Sequence, residues 1–185
     1  MSNPSENHKD VFAHFGLAAY HAQCFEMELK NIFLLLIRAN NRSFSIPLLE
    51  QCEAVLDKQT LGTLIRDIRK VVSFDDGCVT AIEAALTNRN RLMHGFYERH
   101  ATEFLSRTGR ETMIRELESY SDSFETADTV ARSVSGAIGK SLGITDELLQ
   151  AELERMKKEA TQNEPGNAEP GTPVNDLPAA PPDRH

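Results

Sequence analysis

The stretch TNRNRLMHGFYERH, Thr87 to His100, holds the residues whose types could do chemistry together. A helix turns about 100° per residue. Drawn that way, the stretch continues an apolar stripe of Val79, Ile82, Leu86, Met93 and Phe96. Arg89 falls inside that stripe, where a leucine is expected. An arginine there must be paired, or must face a wet groove or an interface, because burying an unpaired charge is very costly. Asn90, His94 and Tyr97 project together from one border of the stripe, His94 one turn from each of the other two. Arg89, Asn90, His94 and Tyr97 are therefore expected to form one polar notch beside an apolar seam. The Cα positions of Arg89 and His94 differ by about 140° in azimuth on an ideal helix, so the arginine's length must bring them together.

A second charge interrupts a second stripe. The first helix is expected from about Pro4–His8 to Ala39, with Phe12, Phe15, Ala19, Ala22, Leu29, Phe33 and Leu36 on one face. Glu26 stands in the middle of that face. Charges at matching places in two stripes suggest that the stripes meet, so Glu26 is expected to orient or neutralise Arg89 or a neighbouring base.

The elements that must hold these residues are all helical. No stretch alternates with period two for long, and no Asn-Gly or Asp-Gly hairpin turn occurs. A second helix is expected after Ser45, running to about Leu56 with Pro47 in its first turn. A third begins at Thr60. A fourth is capped by Ser73 or Asp75 and runs through the notch, continuing to about Leu105. Gly109 marks a break. A fifth runs from Arg110 to Leu142 on a stripe of Met113, Leu117, Tyr120, Phe124, Ala127, Ala131, Val134 and Ile138, and Gly143 ends it. Thr145 caps a last, charged helix with Leu149, Leu153 and Met156. The fold class is an all-α, up-and-down bundle of five or six helices. Residues 1–144 form the bundle, 145–160 the charged helix, and 161–185 a disordered tail rich in Pro, Gly, Asn and Glu.

Composition narrows the function classes. The 185 residues carry a formal net charge of −8, which argues against a broad basic nucleic-acid surface. Residues 145–185 hold nine acids and four bases, a net of −5, so much of the acidity lies in the C-terminal part and a local basic surface remains open. Cys24, Cys52 and Cys78 are far apart and odd in number, which fits buried thiols in a reducing cytosol rather than a zinc site or a disulfide framework. The polar N-terminus has no signal-peptide pattern. The apolar run Ile32–Ile37 is far shorter than the roughly 20 residues of a membrane helix. A cytoplasmic protein with no membrane partner is expected.

Two other motifs lose to plainer readings. GAIGKS, Gly136 to Ser141, resembles part of a phosphate-binding loop, but the required earlier glycine is Val134 and no strand precedes it. Small residues for close helix packing explain it better. His14 and His21 share a face but stand two turns apart, too far for one metal. Together with His8 they are expected to face solvent. No metal or cofactor is expected.

RNRLMH, Arg89 to His94, resembles the RxxxxH motif of the HEPN superfamily, helical-bundle proteins found widely in prokaryotic defence and toxin–antitoxin systems. The asparagine directly after the arginine is typical of that motif, as is its place on a late helix. TLGTLI, Thr60 to Ile65, and the long first helix with its acidic interruption are also similar. The resemblance spans roughly residues 8–142. One subgroup has a tyrosine two residues after the histidine, which a nucleotidyltransferase partner modifies. Here Phe96 stands there and the tyrosine follows as Tyr97, so the match does not extend to that regulation.

The resemblance implies a metal-independent endoribonuclease. His94 would be the general acid/base, since histidine transfers protons near neutral pH. Arg89 would clamp the phosphate and stabilise the transition state. Asn90 would position the phosphate or the histidine. Tyr97 would hydrogen-bond nearby or stack on a base. A homodimer would bring two motifs to one cleft. Arg91, Arg99 and Arg107, near Arg110 and His100, would track the phosphates of RNA. An antitoxin or another protein is a further expected partner. The competing reading is a non-catalytic RNA-binding, regulatory or scaffold dimer with the same motif. On periodicity alone, a structural polar network would also account for the notch.

Overall fold

The computed structural model of the chain describes residues 4–41 and 45–162. The tail is expected at 161–185; Thr161 and Gln162 instead end the last helix, and 163–185 lie outside the described residues. Six α-helices follow in order: α1 (Pro4–Asn40), α2 (Ile46–Leu56), α3 (Leu61–Arg69), α4 (Asp76–Arg99), α5 (Arg107–Ser141) and α6 (Asp146–Gln162). A short 3₁₀ turn, Glu103–Leu105, lies between α4 and α5. No strand occurs among the described residues. The chain divides into two compact units, 1–143 and 144–185. Gly143 lies at the end of the first and takes φ +78°, a left-handed conformation that suits glycine after a helix.

In the first unit α1 and α5 run parallel. Their partners keep a nearly constant offset: Arg110 donates to Asn7, His14 faces Glu118, His21 faces Glu125, and Ser135 donates to Glu28. The reason is a shared repeat. Val11, Ala18, Phe25 and Ile32 are buried at seven-residue intervals, with Ala22 and Leu29 between them. On α5, Met113, Tyr120 and Ala127 repeat likewise, interleaved with Leu117, Phe124 and Ala131. Such a repeat keeps one seam facing its partner along a long helix pair. Helix α4 runs antiparallel to both and adds Ile82, Ala85, Leu92 and Phe96 to the core. The short α3 buries Leu61, Leu64, Ile65 and Ile68. This is the expected all-α, up-and-down arrangement of α1, α4 and α5, with two short helices beside α1.

Three caps agree with the sequence. Asp75 accepts the Cys78 N–H at 2.8 Å, which holds its carboxyl below the usual range. Thr60 caps α3 through the Thr63 N–H, and Thr145 accepts the Leu148 N–H at 3.4 Å.

Several expectations are corrected. On α1 the stripe is rotated by about one residue, so Phe12 is exposed while Val11, Phe25 and Ile32 are buried. Glu26 therefore sits on the stripe's border rather than its centre. Met93 likewise faces outward. Helix α4 stops at Arg99, not Leu105. The chain turns at His100, whose buried ring bonds Glu116 at 2.8 Å, and Phe104 comes back onto His8 and Phe12 of α1. Gly109 does not break a helix. It lies in the first turn of α5, beneath the Ser106 cap, where a Cβ would meet the Glu103 carbonyl oxygen at 2.1 Å. His8, His14 and His21 are half-buried along α1 rather than solvent-facing. Gly139 is buried, as close packing expects, but Gly136 has open space around it. Cys24, Cys52 and Cys78 are free and half-buried.

In the second unit α6 carries exposed Leu148, Leu149, Leu153 and Met156. Its charges pair along the helix, Arg155 with Glu152 and Glu159, and Lys157 with Glu154. None of the described helices is long and apolar enough to cross a membrane.

Candidate functional site

Ile82, Ala85, Leu92 and Phe96 set the buried line of α4, and Arg89 occupies the remaining place on it. Its side chain is 25% exposed, held at the seam with α1. Glu26 reaches it from α1. Arg89 Nε donates to Glu26 Oε1 at 2.5 Å, with the carboxylate 26% exposed. The charge in the buried line of α4 and the charge on the border of the α1 face therefore meet. The pair also explains how a cation is tolerated in a core register, since each charge is satisfied by the other.

The other end of the guanidinium faces the exposed border of α4. Arg89 Nη1 lies 3.4 Å from Asn90 Oδ1 and 3.5 Å from His94 Nε2. The azimuthal gap between Arg89 and His94 is closed by the arginine's length, as the spacing required. These two contacts are long and weak, so Nη1 is free to exchange them for a stronger acceptor such as a phosphate oxygen. The Glu26 bond fixes the orientation from behind.

Glu26, Arg89, Asn90 and His94 line one cleft of about 770 Å³. Its opposite wall is Leu56, Asp57, Gln59 and the first turn of α3. The Thr60–Ile65 stretch thus helps shape the cleft. Lys30 lines it as well, one turn after Glu26 on α1, and its ammonium is held by Asp57 at 2.7 Å. Lys30, Asp57 and Gln59 were not singled out from the sequence. The available signal was the i, i+4 spacing of Glu26 and Lys30, whereas Asp57 and Gln59 arrive through the α2–α3 turn, which no periodicity places.

Tyr97 is not part of this group. Its ring packs with Phe15, Phe12 and Phe104, at centroid distances of 5.1, 6.1 and 6.2 Å. It remains 38% exposed, and burial raises its phenol above the ordinary value. Phe12, Met93 and Tyr97 together expose apolar surface along the α1–α4 seam.

The three arginines expected to track phosphates are not brought together at the cleft. Arg99 turns toward α5, donating to Glu116 at 3.3 Å and to the Tyr120 hydroxyl at 3.2 Å. Arg107 pairs with Glu111 at 3.0 Å. Arg91 is exposed on the face of α4 beyond His94. Arg110 is buried and bonds Asn7 and the Phe104 carbonyl, and so ties α5 to α1 and to the 3₁₀ turn. Glu116 also takes hydrogen bonds from Tyr120 and His100. Burial pushes its carboxyl up, but the bonds from Tyr120, His100 and Arg99 outweigh that and hold it below the usual range. Burial and the same carboxylate push Tyr120 up to about 12.

Among the described residues no cluster of three or more His, Cys, Asp or Glu could hold a metal ion. The cleft offers one imidazole, one guanidinium, one ammonium, amides and two carboxylates. That set suits proton transfer beside an anion held by cations. Comparison with protein-family models, curated proteins and solved structures gives no match to this chain.

Proposed function

We propose that the α1–α4 cleft is the working part of a metal-independent endoribonuclease of the kind its HEPN-like motif implies. One observation carries the reading: Arg89, anchored from behind by Glu26, presents its free end beside His94 and Asn90 in a cleft large enough for a nucleotide. In the reaction a ribose 2′-oxygen attacks the adjacent phosphorus and the P–O5′ bond breaks. The products are a 2′,3′-cyclic phosphate and a free 5′-hydroxyl. One proton leaves the 2′-hydroxyl and one is delivered to the leaving oxygen. His94 performs one of these transfers. Arg89 stabilises the extra negative charge on the phosphorane. Asn90 orients the phosphate or the imidazole.

One histidine per cleft supplies an acid or a base. A second copy of the chain, docked along the seam that exposes Phe12, Met93 and Tyr97, supplies the other. The biological setting implied by the same resemblance is phage defence or a toxin–antitoxin pair, with a protein antitoxin as partner.

A second reading is a non-catalytic RNA-binding or scaffold dimer. It is favoured by the pairing of Arg99 and Arg107 with glutamates, which leaves little unbalanced positive charge to track a strand. One experiment separates the two. Structured and unstructured RNA is incubated in EDTA with wild type, His94→Ala and Arg89→Ala. Cleavage by wild type alone is the expected outcome. Equal cleavage by all three would be contamination and would sink the assignment. Binding without cleavage would favour the module.

A further inference from the structure

Lys30 and Asp57 mark where the cleft continues. Their ion pair borders the main cleft and also a second, smaller cavity of about 210 Å³, reached along α1 past Met27 and Leu34. Leu56 and the pair itself are common to both. A ligand that extends from the first cleft into the second passes over Lys30. Lys30 follows Glu26 by one helical turn, about 6 Å of backbone rise on α1, so a second cation stands one turn along the cleft from the residue that anchors Arg89. Lys30 is 37% exposed and Asp57 70%. So exposed a pair adds little stability, and its carboxylate is readily exchanged for a phosphate.

Building on the ribonuclease reading of the cleft, we propose that Lys30 is a second phosphate subsite, occupied by the phosphodiester next to the one at Arg89, with Asp57 as the resting counter-ion that the incoming strand displaces. The strand then runs along α1 toward α2. It does not follow Arg99 and Arg107, which pair with α5 glutamates. Binding exchanges one ion pair for another and needs no covalent step.

The two sides of the pair predict opposite effects. Lys30→Gln removes the subsite charge. Asp57→Asn removes the competitor and frees the ammonium. Binding of a short single-stranded 2′-O-methyl oligonucleotide, which lacks the attacking hydroxyl, is measured by fluorescence anisotropy over a potassium chloride series with the full chain. Lys30→Gln is expected to weaken binding on the order of fivefold at low salt and to lower the log–log salt slope by about 0.7, the share of one phosphate on a single strand. Asp57→Asn is expected to tighten binding. Thermal melts of both variants should stay near wild type. If both variants weaken binding equally and both melt early, the pair is a structural tether and the proposal is overturned. If both bind like wild type while Arg89→Gln binds poorly, the second subsite is wrong and the RNA reading stands. If wild type does not bind the oligonucleotide, the RNA reading falls and the subsite with it.

Discussion

At the scale of residues, the Arg89–Glu26 contact was legible because Arg89 breaks the apolar repeat of α4 and Glu26 stands beside the apolar face of α1, and a charge in a buried line needs a compensating partner. It should therefore behave as one unit. In a double-mutant cycle with Glu26→Gln and Arg89→Gln, unfolding free energies are expected to couple by about 1 kcal/mol or more, since removing either partner strands the other at a half-buried seam. Additive effects would mean the two groups act independently. Tyr97 was not legible. Its azimuth on α4 matches Asn90 and His94, but one helix says nothing of what its neighbours bring, and Phe12, Phe15 and Phe104 claim the ring. Glu116 shows the same limit. Its cluster with Arg99, His100 and Tyr120 joins α4 to α5 across sequence. Its carboxyl is held below the usual value of 4.5. A depressed carboxylate contributes stability that is present above the ordinary value and is lost as pH falls through the depressed one. Wild type should melt higher than Glu116→Gln at neutral pH, and the gap should shrink as pH drops below about 4.5. A gap that does not change with pH would remove the ionised carboxylate from the account.

At the scale of elements, helix existence and most boundaries followed from periodicity and caps, while the rotation of α1 did not. Its face is wide because α3, α4 and α5 all pack on it, so large Phe12 and Phe33 suggested a centre that belongs to Phe25 and Ile32. On α5 the expected stripe is buried from Met113 to Ala131, and Val134 and Ile138 at its end are partly buried. Glycines divide the same way. Gly109 is required by the backbone of the 3₁₀ turn, so Gly109→Ala should destabilise by about 1–3 kcal/mol through overpacking. Gly136 lies in helix with open space, so Gly136→Ala should stabilise by up to about 1 kcal/mol. Urea unfolding of the two variants tests the contrast, and similar shifts in both would refute the crowding at Gly109.

At the scale of the whole molecule, the proposed second copy rests on the apolar surface left beside the notch. Met93 is 47% exposed in one chain, so Met93→Glu should leave the fold's melting temperature nearly unchanged. The same change should halve the mass measured by light scattering at micromolar concentration and abolish cleavage. A wild-type chain already monomeric under those conditions would count against a shared site.

The parallel pairing of α1 with α5 has a consequence for how the molecule is made. The bonds that join them span 103 residues between Asn7 and Arg110 and 107 between Glu28 and Ser135. Ribosomal synthesis releases the first helix long before its seam partner exists, and closing so large a loop slows the search. Until α5 emerges, the stripe of Val11, Phe25 and Ile32 has no cover along that side, and α4 lacks one of the two walls it leans on. The Glu26–Arg89 bond itself joins α1 to α4 and uses no residue of α5. A product truncated before α5 therefore holds every residue that lines the cleft, yet bares the α1 seam that α5 covers, an adhesive surface that invites aggregation.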